Sequence, residues 1–382
     1  MGRALWPYGN QISGYVASPK SAARRTPLQK KPERRVKSGV GMTIRLGEKE
    51  ELAPLLEKKT YSVFDGGEGG NRLPEICLEL LSVQKEAWPD LRRGGNSLRG
   101  IREREVACRG FSVRLQHNPE RIKNTLAGAG EADSDRRGCF LCLRDLPETQ
   151  KGVLYRNEYL ILCNPRPIFP VHFTVAHLEH RPQSIAEVIP TFLRLLADFG
   201  SGWTVFYNGP KCGASAPDHL HFQTAPAGQM PIEREMREEK RSIDPKRIHG
   251  VVFYRLKDLG REVVVMEGED PLALERVFEG LLHALRRVLS LGEEPMINVA
   301  GFHEGGEWRL MIFPRRKHRP ESFFREGEAR VVVSPGLIDM GGVLITPVKK
   351  DFERLDAEAV EGIYREVSLE PEILKEALDL LG

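Results

Sequence analysis

The chain has 382 residues, 40% of them apolar and 29% charged, the balance of a soluble globular protein with two or three domains or one large duplicated one. No run approaches the roughly 18–20 apolar residues that a membrane span needs, and six cysteines are too few for a disulfide framework in a chain this long. The formal charge of +3 is uneven: residues 1–41 hold nine Lys/Arg and one Glu, a local +8 that leaves the remainder at −5. Basicity therefore belongs to the arm, which argues against a nucleic-acid groove on the folded part.

Residues 1–41 are rich in Gly, Pro, Ser and basic side chains and read as a disordered arm. Composition changes at Met42, a candidate start, and the N-terminus has no apolar signal-peptide core, so a cytoplasmic location is expected. The spacing of Ile76, Leu78, Leu80, Leu81 and Val83 predicts a helix from Leu73 to about Trp88, closed by Pro89. Alternation predicts a strand over 109–117, and His117-Asn-Pro119 a turn into a short helix. Three strands follow at Tyr159–Cys163, His172–Ala176 and Trp203–Tyr207, with a helix over 183–199 before the last. His219-Leu-His-Phe-Gln223 also alternates, so His219, His221 and Gln223 share one face and Leu220 and Phe222 the other. Residues 227–250, charged and containing Pro231 and Pro245, read as a crossover linker with a short helix. Beyond it come strands at Val251–Arg255 and Glu262–Met266, a helix over Pro271–Leu291, and strands at Met296–Phe302 and Trp308–Phe313. After the basic turn Arg315–Arg319, strands are expected at Val331–Ser334 and Gly342–Pro347, then C-terminal helices. The order strand, strand, helix, strand, strand occurs twice, a weak internal similarity that suggests duplication.

Chemistry concentrates in the first copy. Five of the ten histidines fall between 172 and 221. Asn164-Pro-Arg-Pro-Ile-Phe-Pro-Val-His172, His180, Asn208-Gly209 and His219-Leu-His221-Phe-Gln223 together resemble the histidine triad superfamily. Glutamine at the third position resembles its transferase branch, which holds galactose-1-phosphate uridylyltransferase, diadenosine tetraphosphate phosphorylase and plant GDP-L-galactose phosphorylase. His-Leu-His-Phe-Gln and Arg365-Glu-Val-Ser-Leu369 look most like the last of these. From about 110 to 370, with Tyr207-Asn-Gly-Pro-Lys-Cys-Gly-Ala-Ser-Ala-Pro-Asp-His219, the chain also resembles an uncharacterised bacterial branch. The resemblance implies an α+β fold with two histidine-triad-like halves, antiparallel sheets with packed helices, the second half degenerate. Residues 42–135 would complete the first half, 136–226 form its catalytic part, and 251–382 form the second.

On this resemblance His221 is the nucleophile. A neutral imidazole can attack a phosphoanhydride in line and form a nucleotidyl-histidine, provided its other nitrogen is held by a fixed acceptor. Gly213, Ala214 and Ser215 are small enough for backbone N–H groups to approach phosphate oxygens, and Ser215 and Asn208 offer uncharged donors. Here Ser215 and His219 are four apart, one more than in the uridylyltransferase, so the loop is longer. Gln223 can hold a non-bridging oxygen but cannot deliver a proton, which favours transfer over hydrolysis. His172 is either an orienting or phosphate-contacting group or a buried histidine bonded to a carbonyl. Lys211, Arg315, Lys317, His318 and Arg319 are candidate contacts to a second phosphate or a sugar phosphate; solvated basic positions are the plainer reading.

Cys139-Phe-Leu-Cys142 with His180 and His219 resembles the family's structural zinc set, His177 being the competing ligand and two buried reduced cysteines the alternative to a metal. The expected activity is a nucleotidyltransferase or phosphorylase using a nucleoside diphosphate sugar or a dinucleoside polyphosphate, with phosphate or a sugar phosphate as acceptor. A hydrolase of the same fold and a non-catalytic nucleotide-binding module are the alternatives. Guanine is favoured only because the closest-looking relative uses it. The family often pairs subunits through strands, so a homodimer is also implied. Neither nucleic acid nor membrane is expected as a partner.

Overall fold

The computed structural model describes residues 46–66, 72–126 and 138–381, so the basic arm and Met42 lie outside the described residues. Among the described residues fourteen strands run in chain order: β1 Thr60–Phe64, β2 Arg102–Ala107, β3 Ser112–His117, β4 Gly152–Tyr155, β5 Tyr159–Cys163, β6 Phe173–His177, β7 Trp203–Asn208, β8 His221–Pro226, β9 Ser242–Ile248, β10 Val251–Leu256, β11 Val263–Gly268, β12 Ile297–Glu304, β13 Glu307–Pro314 and β14 Val343–Thr346. Eleven of them form one sheet in the order β1-β4-β5-β6-β8-β7-β12-β13-β11-β10-β9. Within it only β1 and β4 pair in parallel. Outward from the antiparallel seam between β7 and β12, β4–β8 on one side and β9–β13 on the other follow the same plan, fourth strand, fifth, third, second, first, and β1 adds one strand beyond β4. A helix joins the third strand to the fourth on both sides, Ile189–Phe199 in one and Pro271–Val288 in the other. The expected duplication is thus built into a single continuous sheet.

Alternation along the strands divides the core in two. Val205, Tyr207, Leu220, Phe222, Val299 and Ile312 face the two crossover helices and the helices Leu73–Ala87 and Pro371–Asp379. Phe206, Ala300, Met311 and Phe313 face the other way, onto Val113, Leu115, Leu344 and Ile345 of a smaller sheet, β14-β3-β2, and onto Tyr364 of the helix Ala357–Val367. A phenylalanine such as Phe222, 0% exposed, sits in that first layer, and cutting it to alanine should cost about 3–5 kcal/mol.

Four local expectations change. Residues 227–250 are not only a linker: after the short helix Ile232–Glu235 they form β9, the first strand of the second half. Pro245 is tolerated there because β9 is an edge strand, with a free side that needs no N–H. The helix expected from 183 begins at Ile189, with Pro190 in its first turn, where a missing N–H costs nothing. Pro89 ends one helix and opens another, Pro89–Ser97, with Trp88 extended between them as a residue before proline prefers. Residues 331–334 form no strand, because their donors go elsewhere: Val331 N to Ser322 O, Val332 N to the Asp351 carboxylate. Among the described residues no helix is long and apolar enough to cross a membrane.

Candidate active site

A cavity of about 640 Å³ opens where both halves meet the segments 121–125 and 138–150. That volume suits a nucleotide-sized ligand. Gln223 and Thr174 come from the paired strands β8 and β6, Asn208 from the end of β7, and Gly213, Ala214 and Ser215 from the loop after it. Gly213 has φ +104°, and a Cβ there would meet Gly336 Cα at 2.6 Å, so the small residue is required for the loop to lie against 335–336.

His221 opens β8 and is 2% exposed. Its Nδ1 lies 2.8 Å from the His219 carbonyl, which cannot donate, so Nδ1 carries the proton and Nε2 the lone pair. That Nε2 is buried without a partner. Burial holds the ring far below the usual imidazole range, at about 4, and therefore neutral. His221 itself does not line the cavity; Gln223, two positions on and on the same face of β8, does.

Its backbone is clamped by Gln183. The Gln183 Oε1 accepts from His221 N at 2.8 Å, while Nε2 donates to His221 O at 3.0 Å and to Asn208 O at 2.9 Å. One buried amide thus ties the end of β7 to the start of β8. Sequence reasoning missed it, because a glutamine in Arg-Pro-Gln carries no pattern of its own.

His172 immediately precedes β6. Its Nδ1 accepts from Ile168 N at 3.3 Å, so Nε2 carries the proton and donates to Gln223 Oε1 at 2.8 Å. Gln223 therefore has its oxygen occupied, and its amide N–H donors have no partner among the described residues. Burial depresses His172 to about 4 as well. Asn208 is turned in a similar way: its Oδ1 accepts from Asn298 Nδ2 at 2.8 Å and Leu337 N at 2.6 Å, and its Nδ2 has no partner among the described residues. Two amides with their donor ends free thus come from the cavity wall.

The basic positions separate. Arg315 is 2% exposed, and its guanidinium is spent on Asn298 Oδ1 and on the carbonyls of Val367, Pro335, Lys317 and His318. It lies outside the cavity lining, as do Lys317, paired with Glu321 and Glu366, and Lys211, paired with Glu293 on the surface. Arg319 braces the wall by donating to Ser334 Oγ and Thr125 O. Of this set His318 alone lines the cavity. Of the cations that do line it, Arg166 belongs to the Asn164-Pro-Arg-Pro motif but carried no assigned role, while Arg121 and Lys123 had no motif to reveal them, nor did Asp339, whose carboxyl is pushed up to about 6 by burial although Gly336 and Ile345 N–H donate to it.

The second cluster lies beside this one. One ligand atom each from Cys139, Cys142, His180 and His219 falls within 4.8 Å of the others. Cys139 Sγ and Cys142 Sγ approach His219 Nδ1 at 3.2 and 3.6 Å, and Cys142 Sγ approaches His180 Nδ1 at 3.2 Å. His219 Nε2 donates to the His177 carbonyl at 2.8 Å, which leaves Nδ1 as a lone pair facing the thiols. Two sulfurs and two imidazoles make a donor set able to hold a metal ion. His177 is not part of it: its Nδ1 accepts from Glu179 N, and its ring packs edge-on against Tyr159.

A family model described as a domain of unknown function (DUF4922) matches residues 80–226. No curated protein matches the sequence. Yeast Ap4A phosphorylase Apa2 in complex with AMP superposes with a TM-score of 0.50 at 16% identity, over 78% of this chain and 96% of that one. The chain has the duplicated histidine-triad-like fold. The same yeast enzyme in complex with Ap4A gives 0.45 at 14% identity, over 76% and 97%. A DUF4931 family protein from Bacillus cereus gives 0.34 at 10% identity, over 44% and 86%.

Proposed function

We propose that the protein is a nucleotidyltransferase of the phosphorylase type, acting on a nucleoside diphosphate sugar or a dinucleoside polyphosphate. The observation that carries this reading is His221: one ring nitrogen is pinned to a carbonyl, and the other is buried with its lone pair unused. A buried polar atom without a partner costs free energy, so its retention points to use. In the first step Nε2 forms a bond to the α-phosphorus, and the bond from phosphorus to the bridging oxygen breaks. The leaving group departs as a phosphate anion. The cationic ring is stabilised by the Nδ1–H bond to His219 O. In the second step an oxygen of phosphate or of a sugar phosphate attacks the same phosphorus, and the electron pair returns to Nε2. Because Nε2 is sealed in this structure, substrate entry has to uncover it.

Gln223 and Asn208 present uncharged donors suited to the non-bridging oxygens, and His172 acts through Gln223 by fixing which end of its amide is free. Glutamine has no proton to deliver, which favours transfer over hydrolysis. Zinc is the metal the Cys139, Cys142, His180 and His219 set suits, and with four protein ligands it would be structural, tying 139–142 to the entry of β8. The yeast enzyme of the same fold, solved with AMP and with Ap4A, supports a nucleotide as substrate.

The test is to incubate the protein with donors labelled in the α-phosphate, denature it, and locate the label by peptide mass spectrometry. A nucleoside monophosphate is expected on His221, with ping-pong kinetics. Exchange that persists in His221→Ala sinks the mechanism.

A further inference from the structure

We propose that the degenerate half supplies the phosphate-binding end of the cavity, where His318, held as its Nδ1–H tautomer by Arg319 and Ser334, donates to an oxygen of the acceptor phosphate. This rests on the transferase reading above and adds the residue that recognises the second substrate.

The tautomer follows from donors and acceptors. Arg319 Nε can only donate, and it lies 3.1 Å from Ser334 Oγ, so the hydroxyl accepts there. Ser334 Oγ has no other acceptor within reach among the described residues, so its own proton goes to His318 Nε2, 2.8 Å away, which accepts it. The ring proton is left on Nδ1. That nitrogen makes no bond among the described residues and is not sealed from solvent, while His318 and Ser334 both line the cavity. Burial and the neighbouring cations of Arg319 and Arg315 keep the ring neutral. The site is therefore a fixed, uncharged donor.

Its surroundings define the ligand. The strip from Ser334 to Leu337 leads from His318 to Asn208, whose Oδ1 it bonds, so the His318 corner adjoins the free amide of Asn208. Arg315 fixes that corner from beneath by binding the carbonyls of His318 and Pro335. Arg121, Lys123 and Arg166 line the same cavity, against the lone carboxylate of Asp339 among the described lining residues. Neutral donors next to cations select a ligand rich in anionic oxygens: inorganic phosphate or a phosphate monoester.

The experiment uses full-length protein labelled with ¹⁵N at histidine, titrated with inorganic phosphate in one arm and glucose 1-phosphate in the other. His318 ring signals are assigned through His318→Asn. The expected result is an Nδ1–H tautomer whose resonances shift with one or both ligands. A shift confined to one arm identifies the acceptor. In steady state, His318→Leu should raise KM for the acceptor about tenfold. His318→Asn, which restores a donor, should recover most of that loss, and Ser334→Ala should fall between. An Nε2–H tautomer, unshifted His318 signals in both arms, or an acceptor KM in His318→Leu within twofold of wild type overturns the proposal. The titration needs no turnover. Shifted His318 signals without nucleotide on His221 would sink the transferase reading alone, and labelled His221 with silent His318 would sink this inference alone.

Discussion

β8 and β13 occupy matching places in the two halves, and their polar groups are used in opposite ways. His221 at the start of β8 has a nitrogen with no partner among the described residues. Arg315, just after β13, has every nitrogen of its guanidinium engaged by carbonyls or by Asn298. A side chain fully used inside the molecule holds walls in place. One left open is available for chemistry. On the proposed function one half reacts and the other positions, and the two are joined through Arg315, Asn298 and Asn208.

That contrast can be broken most directly at its two ends. His221→Ala should lower nucleotide exchange by about a thousandfold or more, read as initial rates. Arg315→Met should instead lower unfolding free energy by about 3–5 kcal/mol in a denaturant titration, since it strands buried acceptors, yet still form the covalent intermediate once folded. If Arg315→Met abolishes labelling of His221 without loss of stability, the division of labour is wrong. A smaller effect is expected at the metal cluster. Purified protein should carry about one zinc per chain, and Cys142→Ser should lose it together with a few kcal/mol of stability. Metal content well below that level, with no destabilisation by a chelator, removes zinc from the account.

The smallest effect concerns His172. Its folded-state value of about 4 lies below the 6.5 of a free imidazole, so the unfolded chain binds more protons between these limits. The stability that its neutral form contributes is fully present above about pH 6.5 and is lost as pH falls toward 4. Denaturation at pH 7, 5.5 and 4.5 should show a steeper acid slope in wild type than in His172→Asn. Equal slopes would mean the ring does not resist protonation.

Much of this could be read in the chain because the signals are local. Short runs of apolar residues at Tyr159–Cys163 and Trp203–Tyr207 mark strands, and Cys139-x-x-Cys142 marks a pair of sulfurs one turn apart. Charge in Arg315–Arg319 was equally visible, but partners were not: Arg315 meets acceptors on residues 298, 335 and 367, whose approach depends on the finished fold. Gln183, Arg121 and Asp339 were invisible for the same reason. β9 was hidden by its proline and charges, which an edge strand accepts and a buried strand does not.

The seam between β7 and β12 has an evolutionary corollary. Separating the halves would bare two ladders of main-chain donors and acceptors where β7 and β12 now satisfy each other, inviting indiscriminate association. The second half is therefore held by architecture as well as by chemistry: its side chains can change, but its strands are needed to close the seam.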